Sequence, residues 1–229
     1  MNNPTLIKSF FGSLSFLFII TNSTGDKNGL SQETLYNLSA VKMPLNKNVS
    51  QFVTNYIHDN RQELYTIRQR SRSPFAMIDS VFRRYKLPVQ LKYLAVIESD
   101  LKATAVSRVG ATGPWQLMPQ TAQQLGLKVS QANDERKQYY KSTKAAALYL
   151  KDLYSEFGDW LLVLAAYNGG PGPVYRAIHK SGSRNFWNLQ GYLPAESRVH
   201  VKKFIAAHYY FEGQGSVTTS TRTERLASL

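Results

Sequence analysis

The chain of 229 residues contains no cysteine. Disulfides, thiolate metal sites and a lipid-bearing N-terminal cysteine are thereby excluded. Its four histidines, His58, His179, His200 and His208, are scattered and form no His-Glu-x-x-His pattern. Neither a metal centre nor a cofactor is expected. Acidic residues are scarce: 15 Asp and Glu stand against 28 Lys and Arg, a formal net charge of +13. Such an excess calls for an acidic partner, whether nucleic acid, anionic lipid or an acidic polymer, and charge alone does not choose. No segment alternates as strands do, and no internal repeat is visible. What is present is a 43% hydrophobic content, enough for one globular domain with a real core plus extensions.

The N-terminus carries the clue to location. Lys8 precedes the apolar stretch Phe10 to Ile20, followed by Thr21-Asn22-Ser23-Thr24-Gly25. A positive region, a short apolar core and small polar residues form the layout of a secretory signal peptide, here residues 1–23. The apolar stretch is well short of the roughly 20 residues of a spanning helix. No Ala-x-Ala cleavage site follows it, so an uncleaved signal anchor is the alternative. Export to the periplasm or cell envelope disfavours nucleic acid as the partner. Peripheral contact with an anionic membrane stays open, and a monomer is expected.

Beyond the signal, residues 24–46 are polar and broken by Pro44, and read as a linker. Residues 47–86 read as an N-terminal helical extension: a loose helical period from Val49 to about Arg70, then a helix opened by Pro74. Arg68, Arg70, Arg72, Arg83 and Arg84 give it a basic face, either simply solvated or in contact with an acidic polymer. From 87 to 212 the pattern is again helical. Pro88 opens one helix, Pro119 a short one that Gly126 stops, and Ser142 or Thr143 caps a longer one closed at Gly158. Asp159 caps the apolar run Trp160–Tyr167, Gly170-Pro171-Gly172-Pro173 reads as a loop, and Pro194 precedes a last helix to about Phe211. Residues 213–229, rich in Gly, Ser and Thr, read as a disordered tail. The fold class is all-α.

One carboxylate is out of place. At about 100° per residue, Leu87, Leu91, Leu94, Ala95 and Leu101 all fall within roughly 60° of Glu98 on a helical wheel. Glu98 therefore projects from an apolar stripe, while Asp100 points about 200° away. Burial disfavours the charged form of a carboxyl group. An acid that keeps its proton near neutral pH is what general-acid catalysis needs. The alternative is a buried glutamate tied to an arginine or to backbone amides.

Three clusters accompany it. In Gly110 to Pro119, two glycines permit a close backbone approach, Trp115 offers a flat face, and Gln116 offers both a donor and an acceptor. Ala165 to Gly170 closes an apolar helix with Tyr167-Asn168, where Asn168-Gly169 also suits a helix C-cap. Pro194 to Val201 puts Glu196 in a first helical turn, where it also suits the helix dipole.

Together, Glu98-Ser99, Gly113-x-Trp115-Gln116-x-Met118-Pro119, Ala166-Tyr167-Asn168 and Glu196-x-Arg198 resemble the SLT-type lytic transglycosylases. Within these, the membrane-bound lytic murein transglycosylase D group is the most similar. The resemblance covers residues 45 to 212, including Ser142 to Ala147 between the second and third motifs. It implies a lysozyme-like fold of the goose-type lysozyme and SLT kind over 87–212. It also implies cleavage of the MurNAc-GlcNAc bond of peptidoglycan glycan strands. Glu98 would be acid and then base, closing a 1,6-anhydro ring without water. Ser99 and Gln116 would bind the sugar's acetamido and peptide portions. Met118 and Tyr167 would line the site, Tyr167 orienting Glu98, while Gly113 would also bind substrate and Asn168 and Glu196 would hold the groove. Three departures stand out: Pro114 for the usual Leu, His200 for the usual Tyr of Glu-x-Arg-x-Tyr-Val, and no LysM repeats. A hydrolytic muramidase and a non-catalytic wall-binding module are the rival readings. A muramidase normally needs a second carboxylate to activate water, and none is placed near Glu98.

Overall fold

The computed structural model describes residues 43–228 together with Lys8–Ser9 and Phe16–Leu17. Lys8–Ser9 (β1) and Phe16–Leu17 (β2) pair antiparallel, Lys8 opposite Leu17 and Ser9 opposite Phe16. The rest of the expected export signal, and most of the 24–46 linker, lie outside the described residues. By its internal contacts the chain divides into Met1–Ser31 and Gln32–Leu229, and everything below concerns the second unit.

Helices dominate it, as the periodicity requires. The expected single helix over 49–70 is two, α1 (Lys47–Asp59) and α2 (Arg61–Arg70). The break is at Asn60, whose side-chain amide and backbone N–H both donate to the carbonyl of Tyr56. Asparagine offers the backbone this local alternative to a continuing helix. Next come α3 (Arg72–Arg84), a 3₁₀ turn (Val89–Lys92) and α4 (Tyr93–Ser99). Leu87, Leu91, Leu94 and Ala95 are all buried, but only Leu94 and Ala95 share α4 with Glu98. Tyr93, Val96 and Ser99 are buried as well, so the expected single apolar stripe is instead a short helix enclosed nearly all round.

After the short α5 (Pro119–Gln124), α6 spans Tyr139–Phe157. It starts three residues before the expected cap. Ser142 donates to the carbonyl of Gln138 from inside the helix, and Thr143 accepts the indole N–H of Trp115. Asp159 caps α7 (Trp160–Gly169) as expected, accepting from the amides of Leu161 and Leu162. The 170–173 segment is not a loop: α8 (Pro171–Ser181) starts inside it. Gly170, at φ +78°, makes the turn. Both prolines sit in a first turn, where a missing N–H costs nothing. A short α9 (Phe186–Leu189) leads to α10 (Ala195–Glu212). The core is built around α7, buried from Trp160 to Ala166 and packed against α6, α8 and α10. α10 in turn packs against α1 and α4.

The expected disordered tail is a correction. Residues 216–221 are buried, and α11 (Arg222–Ala227) follows them. Met43 and Gly215 exchange backbone hydrogen bonds at 3.1 Å each way. Buried Arg225 donates to the carbonyls of Val217 and Ser220. Short hydroxyl side chains that look solvating in sequence are used here as caps: Ser216 and Thr221 each form a capping box.

This segment is pinned to α10 by His208, whose Nε2 lies 2.9 Å from the Ser216 hydroxyl. Burial pushes the His208 ring down to about 3, so it stays neutral where an unfolded histidine, near 6.5, takes up a proton. The unfolded chain therefore binds more protons between these values. The stability gained is full above about pH 6.5 and shrinks as pH falls toward 3. The melting temperature should fall over that window, and His208→Gln should flatten the fall. Circular dichroism melts between pH 7 and 4 check this; an unchanged slope in the variant would exonerate His208.

Candidate active site

Glu98 sits one residue from the end of α4, its side chain 15% exposed. The helix ends without glycine. Asp100 and Leu101 both take the left-handed conformation, at φ +53° and +62°. Few non-glycine residues do so, and here neighbours fix the turn. Arg70 donates to the carbonyl of Asp100 at 2.7 Å, and the Tyr139 hydroxyl to that of Leu101. Asp100 pairs with Lys102, away from Glu98 as the helical wheel predicts. Arg68 similarly donates to the carbonyls of Tyr210 and Phe211 at the end of α10. Two arginines of the expected basic face thus hold backbone turns, leaving Arg72, Arg83 and Arg84 exposed on α3.

The loop after α4 folds back beneath the site. Gly113 donates its N–H to the carbonyl of Ala105 and takes φ +83°. A Cβ there would lie 2.0 Å from the carbonyl oxygen of Arg136. Pro114 is buried, and its carbonyl accepts the Ser99 hydroxyl at 3.0 Å. Ser99 is thus tied into the loop as well as adjoining Glu98. Trp115 is wholly buried against Phe82, packed behind the site and not along it. Gln116 is half-buried at φ +45° and donates its amide to the carbonyls of Gly113 and Ala105. That leaves its side-chain carbonyl without a protein partner among the described residues. Met118, half-buried, is the N-cap residue of α5.

Sequence reading missed Arg136. Buried at 6% exposure, it donates to the carbonyls of Gly110 and Leu117, clamping both ends of the loop that holds Gln116. Its hydrogen bond to Asp134 holds that carboxyl below the usual range. The one signal available was its place in Asp134-Glu135-Arg136-Lys137, which reads more simply as a solvated charge run.

From the other side come the end of α7 and the start of α10. The Tyr167 hydroxyl donates to the carbonyl of Trp115 at 2.7 Å. Burial pushes that hydroxyl well above its usual range, with the charge of Glu98 adding to the effect. Tyr167 therefore stays protonated beside Glu98, but its hydrogen bond goes to the loop. The group that holds Glu98 is His200, whose Nε2 is 2.8 Å from Oε1. Asn168 accepts the Ser197 hydroxyl at 2.9 Å, joining α7 to the first turn of α10. A Cβ on Gly169 would meet that hydroxyl at 2.5 Å. Glu196 is exposed one turn before His200. Hydrogen bonds thus link Glu98 to His200, Ser99 to Pro114 and Tyr167 to Trp115, while Asn168 ties to the first turn of α10, in which Glu196 is exposed.

The described residues from 43 onward form a helical domain in which half-buried Glu98 stands beside a backbone-lined loop, consistent with the expected lysozyme-like fold. Comparison with known proteins agrees. Residues 78–190 match the family model of the Transglycosylase SLT domain. It is 32% identical over 169 residues to membrane-bound lytic murein transglycosylase D of Escherichia coli, covering 72% of this chain and 37% of that protein. The chain therefore spans little more than a third of that relative. Among solved structures, the 70-kDa soluble lytic transglycosylase of E. coli is similar over 84% of this chain and 34% of its own, with a TM-score of 0.55 at 24% identity. An inactive mutant of lytic transglycosylase Slt from Pseudomonas aeruginosa matches over 64% and 26%, with a TM-score of 0.53 at 22% identity. These two establish the fold alone.

Gly113→Ala tests the loop. The methyl would meet backbone at a left-handed position, so the variant should lose at least about 2 kcal/mol of stability. Gly110→Ala, where a Cβ meets nothing within 4 Å, should lose only the left-handed cost of roughly 1–2 kcal/mol. Urea unfolding of both variants reads the difference.

Proposed function

We propose that this protein is a peptidoglycan lytic transglycosylase of the cell envelope, exported by its N-terminal segment. It would cleave the MurNAc-GlcNAc β-1,4 bond and leave 1,6-anhydro-MurNAc ends. The observation that carries the reading is Glu98, half-buried near the end of an otherwise buried helix in the segment that matches the SLT domain, with one oxygen held and the other without a protein partner among the described residues.

In this mechanism Glu98 gives its proton to the glycosidic oxygen as the bond to the MurNAc anomeric carbon breaks. The sugar's N-acetyl group stabilises the cation. The C6 hydroxyl of the same MurNAc then attacks that carbon and returns its proton to Glu98. One proton leaves and one returns, and no water is consumed. An intramolecular hydroxyl can reach an effective molarity of ~10⁵ M or more, which favours it over solvent. The side-chain carbonyl of Gln116 is available to accept from the acetamido or peptide N–H. Ser99 has its hydrogen engaged, so it would serve substrate as an acceptor. Met118 and Tyr167 line the groove, and Asn168 and Glu196 hold its rim.

Purified protein given peptidoglycan should release muropeptides one water lighter by mass spectrometry than lysozyme products, with no new reducing ends. Reducing-end products would identify a muramidase, and no products with binding retained would identify a wall-binding module. Glu98→Gln should remain folded and lose at least ~10²–10⁴-fold in turnover, the scale of a lost general acid. A near-normal rate would remove Glu98 from the mechanism.

The basic surface is proposed to serve binding to the wall. Exposed charges are screened over about 10 Å at 0.1 M salt, so sacculus binding should weaken as salt rises. Neutralising Arg72, Arg83 and Arg84 should lower sacculus affinity and spare cleavage of short soluble glycans. Sedimentation of sacculi with bound protein at rising salt measures this, and salt-independent binding would refute it.

A further inference from the structure

His200 stands where the motif usually carries Tyr, and its contact with Glu98 has a consequence for where the acid proton sits. The two side chains are 9% and 15% exposed, and Nε2 lies 2.8 Å from Glu98 Oε1. The other ring nitrogen, Nδ1, is buried with no hydrogen-bond partner among the described residues. Glu98 Oε2 likewise has no protein partner among them, but the half-exposed side chain leaves it open to the groove.

The ring can hold its protons in three ways. A proton on Nδ1 alone makes Nε2 an acceptor and buries an N–H with nothing to receive it. Protons on both nitrogens bury the same unreceived N–H and add a charge. A proton on Nε2 alone leaves only an unused lone pair at Nδ1. Orphaned buried N–H groups are rarer in native proteins than under-used acceptors, and a buried unmet donor forfeits its full desolvation cost. We infer that His200 is a positioning residue, neutral and protonated at Nε2, whose hydrogen bond to Oε1 consigns the transferable proton of Glu98 to Oε2.

The inference rests on Glu98 being the proton donor proposed above. With Nε2–H donating, Oε1 is the carbonyl oxygen of the protonated acid, and the O–H lies on the oxygen that faces the groove. After that proton has left, the same hydrogen bond holds the carboxylate, and Oε2 receives the next one. His200 neither gains nor loses a proton in the cycle. The surroundings are compatible with a neutral ring. Tyr167, from α7, is kept protonated. On α4, Asp100 is paired with Lys102. Lys47, His58 and Asp59 of α1, Glu63 of α2, and Glu196 and Lys203 of α10 are exposed.

The tautomer is directly readable. Long-range ¹⁵N–¹H spectra of the histidine rings of the whole protein at pH 7, assigned by the signal that His200→Tyr removes, should show a neutral His200 protonated at Nε2. A ring protonated at Nδ1, or at both nitrogens, would overturn the inference. In kinetics, His200→Phe keeps ring bulk without the donor and should lower kcat by about 10- to 100-fold with KM little changed, the scale of a misplaced catalytic group. His200→Tyr, whose hydroxyl donates, should recover kcat to within about threefold of the parent. Equal loss in both variants would make the ring structural, and full kcat in His200→Phe would make the hydrogen bond idle. Melting temperatures of the variants separate misfolding from misplacement. The spectra need no substrate, so a wrong activity would show in the products while leaving the tautomer result standing.

Discussion

The structure depends on one constraint: α7 has no polar face to leave in water. Every residue from Trp160 to Ala166 is buried, and each of Leu161, Leu162, Val163 and Leu164 contributes about 1.5–3 kcal/mol when fully buried. A surface ion pair contributes about 0–1 kcal/mol, so this helix, and not the abundant surface charge, decides the architecture. It must be enclosed on all sides, and α6, α8, α10 and the segment around Val217–Thr219 do so. Its N-terminus is sealed as well, because buried Asp159 accepts amides from both α7 and Arg222. Enclosure stops only at the far end. Tyr167 and Asn168 are half-buried and Gly169 is exposed. The Glu98 cluster lies where the core runs out.

The loop beside that opening is held by backbone contacts more than by side-chain packing. Arg136 binds two carbonyls of the 110–117 loop, Tyr167 a third, and Ser99 a fourth. Gln116 is kept in a left-handed conformation that is costly for a residue with a Cβ. Such outliers persist only where the surroundings over-determine them, and they cluster at functional sites. The loop's rigidity and Glu98's position have a common origin, since Ser99 ties the end of α4 to Pro114. A substrate would meet preformed acceptors on a fixed frame.

Much of this was legible in sequence. That Leu87, Leu91, Leu94 and Ala95 are buried was expected from their pattern, though only the last two share a helix with Glu98, and the Asp159 cap follows from residue type at a boundary. Failures came where composition stood in for geometry. Residues 213–228 look disordered by their Gly, Ser and Thr content, yet those hydroxyls cap two short helices, and Arg225 is buried among carbonyls. Gly170 to Pro173 looks like a loop because proline and glycine mark turns, but proline also opens helices. Arg68 and Arg70 are exposed as expected of a solvated face, but nothing local reveals that they also bind the carbonyls of Tyr210 and Asp100. His200 was visible as a departure from a motif. What it touches was not, because Glu98 lies 102 residues away and periodicity speaks only within an element.

The scarcity of acidic residues gives that contact its meaning. Most carboxylates off the open surface are held by a cation or by several donors: Asp79 by Lys92, Asp134 by Arg136, Glu135 by Lys141, and Asp159 by three backbone amides. Their partners hold Asp134 and Glu135 below the usual carboxylate range, whereas burial raises Asp159 despite its three amides. Glu98 differs, since among the described residues its one side-chain partner is an imidazole with a buried, unpaired nitrogen. A cation at that distance would favour the ionised carboxylate and defeat an acid. On the reading proposed above, a neutral donor at Nε2 would hold one oxygen in place and leave the proton on the other, so that histidine at position 200 would serve as an uncharged donor aimed at Oε1.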